Sequence, residues 1–302
     1  MRIAVPDLIS NSYFPAVAAV ELGCMRDEGI DASVELLFPV NEAYRALASG
    51  EVDIVAGSAH SALAAFPEWR GVKLLAAQAQ GMYWFLVMRR ELEAGRNDPA
   101  ALRGRRIGAA PWVDLGLQQL VIDAGVDLGE VDIAPVPGAA GAGTNFGLTA
   151  ARALADGSVD GFWANGMGAE VAVRSGAGTI VLDVRRGDGP DGCFDYTFAS
   201  LAATDQFIDE DRGRAQAVVR ALRRAQGLLA EDPGRATAVG ERVFPPEQAA
   251  LIADLVARDV PFYEAEIPER AIGGMNRFAR ERGLLTGDPP YEQVVAVDID
   301  RS

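Results

Sequence analysis

Short apolar runs alternate along the chain with longer segments whose apolar residues recur at helical spacing. In the stretch 46–66, a helix ends at Gly50, a strand follows at 52–55, the chain turns, and a second helix opens near His60. The same order recurs at 153–176, and in both copies a Gly-x-Val-Asp sequence precedes the strand. Strands separated by helices at this spacing predict an α/β protein with mostly parallel sheets. The repeat predicts two similar lobes.

The pattern also predicts where each lobe begins and ends. Further strands are predicted at 2–5, 32–38, 72–77, 85–88, 105–109, 131–136, 179–183 and 193–202, and helices at 14–22, 42–49, 113–124, 146–156, 205–209, 211–230, 233–243, 246–258 and 268–282. Asn41 is predicted to cap the helix at 42–49, and Thr144 with Asn145 the helix at 146–156. We predict lobe 1 at 1–88 plus 197–302 and lobe 2 at 89–196.

Composition and charge narrow the class of partner. The 302 residues, 49% of them hydrophobic, suit one large globular domain or two lobes with their own cores. The net charge is −15, Lys73 is the only lysine, and the arginines are scattered. This balance argues against nucleic acid or an anionic membrane as a partner. No apolar run approaches the ~18 residues of a transmembrane helix.

Cysteine and histidine are too scarce for most metal sites. Cys24 and Cys193 lie far apart without metal-ligand spacing, and isolated thiols are favoured over a disulfide, which the spacing leaves open. His60 is the single histidine, so every Ser-His-Asp triad would have to be built on it. We expect no metal or other cofactor.

The beginning of the chain bears on its location. A strand is predicted at 2–5, with no apolar signal-peptide region before it. Residues 21–24 (ELGC) faintly match a lipoprotein cleavage site, but Glu21 is unfavourable there and cleavage would delete the first strand. We expect either a cytoplasmic protein or an extracytoplasmic one, periplasmic or surface-attached, whose leader was removed.

Polar and aromatic residues follow the predicted strands, at the sheet edge where open α/β proteins bind ligands. The candidate ligand-binding residues are Ser10, Asn11, Tyr13, Ser58, His60, Gln80, Tyr83, Trp84, Trp112, Asn145, Trp163, Asn165, Asp195 and Tyr196. Each has a structural alternative. The Ser and Asn residues can be helix caps, the aromatic residues can be core, Asp195 and Tyr196 can be hinge packing, and His60 can be a satisfied buried group.

The chemistry of these loops indicates a solute class. They are rich in aromatic and amide side chains and contain no Arg or Lys. Such a site would hold an oxyanion only through backbone N–H and hydroxyl groups, whereas stacking with Asn and Gln suits a planar, weakly charged ligand. We therefore expect an aromatic or heterocyclic solute rather than an alkyl sulfonate, although Arg89 or Arg90 could still swing in from the hinge.

Five motifs resemble the type 2 periplasmic-binding-protein fold, and within it the solute-binding proteins for sulfonate, nitrate, taurine and thiamine-precursor pyrimidines. They are 16–23 (AVAAVELG), 28–31 (EGID), 47–53 (LASGEVD), 102–108 (LRGRRIG) and 154–160 (LADGSVD), and the resemblance covers nearly the whole chain. It implies two lobes joined by crossover strands near 85–90 and 193–202. It also implies a hinge and an interlobe cleft that closes over a ligand.

Enzymes share the fold that the chain resembles. The yeast-type synthase of the thiamine pyrimidine uses a pyridoxal-phosphate lysine and a histidine in the turn after the third strand. Here Gly57 and Ser61 occupy those places, and Cys193 stands alone where that family has a cysteine-rich run. These departures argue against the synthase activity, whereas chorismate-type dehydratases are not excluded.

Two hypotheses from different classes follow. In the first, the protein is not an enzyme and delivers a small organic ligand to the permease of an ABC importer. In the second, it is a cytoplasmic lyase, decarboxylase or dehydratase with His60 or Asp195 as the acid/base group. A cytoplasmic ligand sensor differs from the first hypothesis only in its partner.

Overall fold

The apolar runs form the strands of two sheets. In the computed structural model, which describes residues 1–139, 145–297 and 299, the strands are β1 (Arg2–Val5), β2 (Ser33–Leu36), β3 (Ile54–Ser58), β4 (Val72–Ala79), β5 (Phe85–Arg89), β6 (Arg106–Ala109), β7 (Asp132–Ala134), β8 (Gly161–Ala164), β9 (Gly178–Asp183) and β10 (Ala199–Thr204). Most of them lie close to their predicted positions.

The segments with helical periodicity form the helices. They are α1 (Phe14–Glu21), α2 (Cys24–Asp27), α3 (Val40–Ser49), α4 (Asp114–Asp123), α5 (Phe146–Ala155), α6 (Gly166–Arg174), α7 (Asp205–Glu210), α8 (Arg212–Glu231), α9 (Arg235–Val243), α10 (Pro246–Ala249), α11 (Ile252–Asp259), α12 (Glu269–Glu281) and α13 (Tyr291–Val294). Short 3-10 turns include Ala59–Ala64, Pro67–Trp69 and Cys193–Asp195. Among the described residues, no helix combines the length and apolar character that crossing a bilayer requires.

The chain divides into two compact units. Unit 1 is Met1–Gly81 with Thr197–Ser302, and unit 2 is Met82–Tyr196. The change to unit 2 comes earlier than the boundary predicted after residue 88. The reason is that β5 pairs along its length with β8 and β9, so its backbone hydrogen bonds belong to the second sheet.

Each unit contains one five-stranded sheet, and the two sheets have the same topology. The strand orders are β2-β1-β3-β10-β4 and β7-β6-β8-β5-β9. In each, the first three strands pair in parallel. The first strand after the chain passes from the other unit, β10 in unit 1 and β5 in unit 2, pairs antiparallel with both of its neighbours. The repeat predicted from the sequence is therefore a repeat of topology, and each sheet is mixed.

Several local predictions are wrong at element boundaries. Strand β3 extends through Ser58 because its end pairs with Ala199 of β10, and a 3-10 turn rather than an α-helix follows at His60. The segment predicted as one strand from 193 begins as a 3-10 turn. Asn41 does not cap α3. Pro39 is the N-cap residue, and the Asn41 amide donates to the Glu42 carboxylate inside the helix.

The core of each unit lies between its sheet and its helices. Ile3, Ala4 and Val5 of β1 are fully buried, as are Ile54 and Val55 of β3. Helix α3 turns its apolar stripe to this sheet and leaves charged positions in solvent. Burial on both faces explains why these parallel strands are continuously apolar in the sequence.

Candidate functional site

In unit 1, most of the candidate residues lie at the carboxyl ends of β1 and β3, which are parallel neighbours, and Gln80 follows β4. The loop after β1 carries Ser10, Asn11, Ser12 and Tyr13, all of them buried. The Ser10 hydroxyl and the Asn11 side-chain oxygen have no hydrogen-bond partner among the described residues. Native proteins satisfy nearly all buried polar atoms, so two orphan atoms in one loop indicate groups that a ligand can satisfy.

Asp259 accepts hydrogen bonds from two side chains of this loop. It is not among the residues that the sequence pattern indicated. Its Oδ2 accepts a hydrogen bond from Asn11 Nδ2 at 2.6 Å and a longer one from Ser12 Oγ at 3.4 Å. The Tyr263 hydroxyl donates to the Asn11 backbone carbonyl. Asp259 is 5% exposed and ends α11. No local signal could have paired residues so far apart in the sequence.

His60 belongs to a buried chain of hydroxyl groups. Its Nδ1 lies 2.9 Å from Thr197 Oγ1, its Nε2 lies 3.5 Å from Ser61 Oγ, and Ser61 Oγ lies 2.6 Å from Ser58 Oγ. The Phe278 ring packs edge-on against the imidazole, with centroids 5.4 Å apart. These contacts fix the orientation of the ring. A chain of hydroxyls and imidazole can relay hydrogen bonds to a polar ligand group.

The Gln80 side chain forms hydrogen bonds to the protein backbone. Its Nε2 donates to the backbone carbonyls of Glu264 at 3.0 Å and Glu266 at 2.6 Å. The amide therefore ties the segment before α12 to the end of β4. Both of its N–H donors are engaged in these bonds.

In unit 2, the candidate aromatic residues form a cluster. The ring centroids of Tyr83 and Trp84 are 4.7 Å apart, and those of Trp84 and Trp163 are 6.2 Å apart. The Arg185 guanidinium lies 5.7 Å from the centroid of the Tyr83 ring, within cation–π range. All three rings are almost fully buried, and Trp163 Nε1 has no hydrogen-bond partner among the described residues. Arg185 follows β9, outside the loops in which the sequence pattern placed the candidate residues.

The start of α4 packs against this cluster and adds an acid. A Cβ built on Gly116 would lie 3.3 Å from both Trp84 Cζ3 and Met82 Sδ, so the lack of a side chain there allows the close approach. Trp112 is half-buried and has a left-handed φ of +71°. Burial raises the pKa of the Asp114 carboxyl, which accepts a 2.8 Å hydrogen bond from Gln118 Nε2. Asp114 is not among the residues that the sequence pattern indicated.

The two asparagine candidates of unit 2 cap helices. Asn145 Oδ1 accepts from the backbone N–H of Leu148 at 2.8 Å. Asn165 Oδ1 accepts from those of Met167 at 3.0 Å and Gly168 at 3.1 Å. Their side-chain oxygens thus satisfy the first turns of α5 and α6. Thr144, expected to share the first cap, lies outside the described residues.

The residues before β10 and the arginines near β5 have protein partners. The Tyr196 hydroxyl donates to the Asp123 carboxylate, and Asp195 is half-buried in the 3-10 turn before it. Arg89 Nη2 lies 3.1 Å from Asp160 Oδ1, and Arg90 Nε donates to the Gly176 carbonyl at 3.0 Å. These bonds within unit 2 occupy Tyr196 and both arginines.

Each unit therefore presents its own chemistry at the carboxyl ends of its strands. Unit 1 has hydroxyl, imidazole and amide groups, and unit 2 has a cluster of tilted aromatic rings, the indole N–H of Trp163 and a half-buried acid. Within residues 1–139, 145–297 and 299, no group of three or more His, Cys, Asp or Glu side chains is arranged to hold a metal ion. Polar groups and aromatic rings of these kinds are found in small-molecule sites of proteins.

Comparison with known proteins gives a match to one family model and matches to solved structures. Residues 10–236 match the family model described as NMT1/THI5 like. No curated protein matches the sequence. The alkanesulfonate-binding protein SsuA from Xanthomonas axonopodis pv. citri, bound to MOPS, is 14% identical with a TM-score of 0.71, and the match covers 99% of this chain and 97% of that one.

Two further solved structures extend the comparison. The periplasmic nitrate-binding protein NrtA from Synechocystis PCC 6803 is 13% identical with a TM-score of 0.71, covering 99% of this chain and 86% of that one. The desulfurization enzyme DSZB is 14% identical with a TM-score of 0.63, covering 99% of this chain and 97% of that one. At these identities, the likeness confirms the type 2 periplasmic-binding-protein fold that the motifs predicted.

Proposed function

This chain belongs to the NMT1/THI5-like family, and from that premise we propose that it is the solute-binding component of an ABC importer. Its solute is a small organic molecule with an aromatic or heterocyclic ring. Solved structures of the same fold include binding proteins for alkanesulfonate and nitrate, which supports the solute-binding role. The permease and an extracytoplasmic location follow from this role as parts of the same proposal.

One observation carries the solute class: the buried cluster of Tyr83, Trp84 and Trp163. It lies where β8 ends and α4 begins, and Trp163 Nε1 lacks a partner among the described residues. Aromatic rings bind planar solutes with little conformational entropy loss, and an indole N–H supplies direction through one hydrogen bond. A further aromatic group, Trp112, lies just beyond β6, whose Ala109 is in register with Trp163.

The first experiment is a thermal-shift screen of the full chain against aromatic acids, pyrimidines, flavins, sulfonates and amino acids. A solute that binds only the native state raises the unfolding midpoint by mass action. Mass spectrometry then shows whether the solute is recovered intact. Recovery intact supports the binding protein. If the protein converts the solute to a product, and His60→Ala abolishes this conversion without weakening binding, the enzyme hypothesis replaces the binding-protein proposal. DSZB, an enzyme of this fold, is a precedent for that alternative.

Trp163→Phe tests the aromatic site, with Trp69→Phe as its matched control. Trp69 is also buried and its Nε1 also lacks a partner among the described residues, but it lies in the 3-10 turn Pro67–Trp69 of unit 1, whereas the aromatic cluster belongs to unit 2. We expect Trp163→Phe to weaken affinity for the identified solute about tenfold, the loss of roughly one good hydrogen bond, and Trp69→Phe to leave it unchanged. Equal affinities for both variants would refute the assignment of the aromatic cluster to binding.

A further inference from the structure

We infer that the loop after β1 selects solutes that present a hydrogen-bond donor, and that Asp259 is the positioning residue that sets this preference. The inference rests on the proposed solute-binding role and deepens it. It concerns Ser10, Asn11 and Asp259, all of which belong to unit 1.

The hydrogen bond to Asp259 determines the orientation of the Asn11 amide. An ionised carboxylate offers only acceptor oxygens, so the Asn11 atom lying 2.6 Å from Asp259 Oδ2 has to be the NH₂ group. The other atom is then the carbonyl oxygen Oδ1. It is buried without a partner among the described residues. Asp259 thus determines that the unpaired atom of this amide is an acceptor.

A set of bonds keeps the carboxylate and the loop in place. Ser12 Oγ also contacts Asp259 Oδ2, and the Tyr263 hydroxyl holds the Asn11 carbonyl. Asp259 is the last residue of α11, where the helix dipole disfavours a negative charge. Donors from the loop after β1 compensate for that unfavourable position. These hydrogen bonds between the loop after β1 and the end of α11 therefore keep the Asn11 amide in this orientation.

The orientation of this amide bears on the ligand. An N–H or O–H group placed against Asn11 Oδ1 would satisfy this buried acceptor, whereas a sulfonate, carboxylate or nitrate oxygen would bring two acceptors together. Sites with a buried unpaired polar group discriminate strongly against analogues that lack the matching group. The Ser10 hydroxyl, also buried without a partner among the described residues, can donate or accept and so tolerates either neighbour. Asn11 therefore carries the selectivity.

The test uses two pairs of nearly isosteric probes, benzenesulfonamide with benzenesulfonate and benzamide with benzoate. Affinities are measured by calorimetry on the full chain at constant pH and salt. We expect the wild-type protein to bind each amide at least tenfold more tightly than its acceptor-only partner. In Asp259→Asn, the new amide can donate to Asn11 Oδ1 and leave Asn11 Nδ2 open, so the preference should fall about tenfold or reverse. Asp259→Glu should retain it.

Two further variants separate this effect from charge and folding. Asp254→Asn removes the same charge from an exposed position of α11 and should leave the preference as in wild type. Asn11→Leu removes the acceptor but keeps a side chain of similar size over Asp259, and should bring each pair towards equal affinity even if Asp259→Asn folds poorly. Circular dichroism confirms that each variant measured is folded.

The outcomes separate the inference from the proposed function. Tighter binding of the acceptor-only probes, or a preference unchanged in both Asp259→Asn and Asn11→Leu, overturns the inference and leaves solute binding intact. Failure of every probe to bind overturns the inference together with the aromatic solute class on which it rests. A donor preference that depends on Asn11 and Asp259, but not on Asp254, establishes it.

Discussion

Gly168 of α6 lies against the backbone of Gly147 in α5, and replacing it with alanine tests this helix packing. A Cβ at position 168 would lie 2.7 Å from the Gly147 carbonyl oxygen, 2.9 Å from its Cα and 3.0 Å from its carbonyl carbon. Backbone atoms cannot rotate aside as a flexible side chain can. One helix therefore has to shift, and Asn165 lies close enough to Gly147 to shift with it.

The expected loss of stability follows from two opposing terms. Forcing an extra methyl group into a packed interface costs about 1–3 kcal/mol. Alanine in place of glycine returns at most about 1 kcal/mol in helix propensity, and less in the first turn, where Gly168 lies. We expect Gly168→Ala to lower the free energy of unfolding by about 2 kcal/mol, and the thermal midpoint by about 4–8 °C.

Thermal unfolding followed by circular dichroism and tryptophan fluorescence measures this change. Three of the four tryptophans lie in unit 2, so fluorescence reports chiefly on the unit that contains Gly168. The matched control is Gly227→Ala in α8, where a Cβ would meet nothing within 4 Å. We expect the control to be stabilised by up to about 1 kcal/mol. If Gly168→Ala is as stable as the control, the close approach of α5 and α6 is wrong.

Two further predictions follow from groups whose pKa burial raises. The native state holds the Asp114 proton to a higher pH than the unfolded chain, whose carboxyl has its ordinary pKa of 3.8. Stability therefore falls as the pH rises from about 3.8 through the raised native pKa, and it stays lower above that. Asp114→Asn should raise the unfolding midpoint at pH 7 but not below pH ~3, and a pH-independent difference would contradict this. Burial also raises the pKa of the Cys193 thiol to about 11, and that of Cys24 above its usual value. Iodoacetamide at pH 8 should label neither thiol in the native protein and both in urea, as counted by mass spectrometry; rapid native labelling would show that the thiols are accessible.

The sequence indicated many of the residue types at the strand ends of the candidate site. It did not show which hydrogen bonds these residues form. Asn165 and Asn145 were correctly placed beside helix starts, and the structure shows their side-chain oxygens bonded to backbone N–H groups. Tyr196 was weighed as hinge packing or ligand contact, and its hydroxyl is bonded to Asp123. Whether the aromatic cluster and the loop after β1 bind a solute stays a prediction until the screen is done.

The sequence by itself determined the features that depend on neighbouring residues: the alternation of strands and helices, the doubled Gly-x-Val-Asp unit, and hence two α/β units of the same topology. Local periodicity is encoded within a few residues, so a single sequence reveals it. The predicted cap is confirmed at Asn145 and wrong at Asn41. Only the tertiary structure decided that β3 extends through Ser58, that Asp259 orients Asn11, and that Trp163 lies beside Trp84. These depend on sheet register and on packing between segments distant in the chain, which no local pattern records.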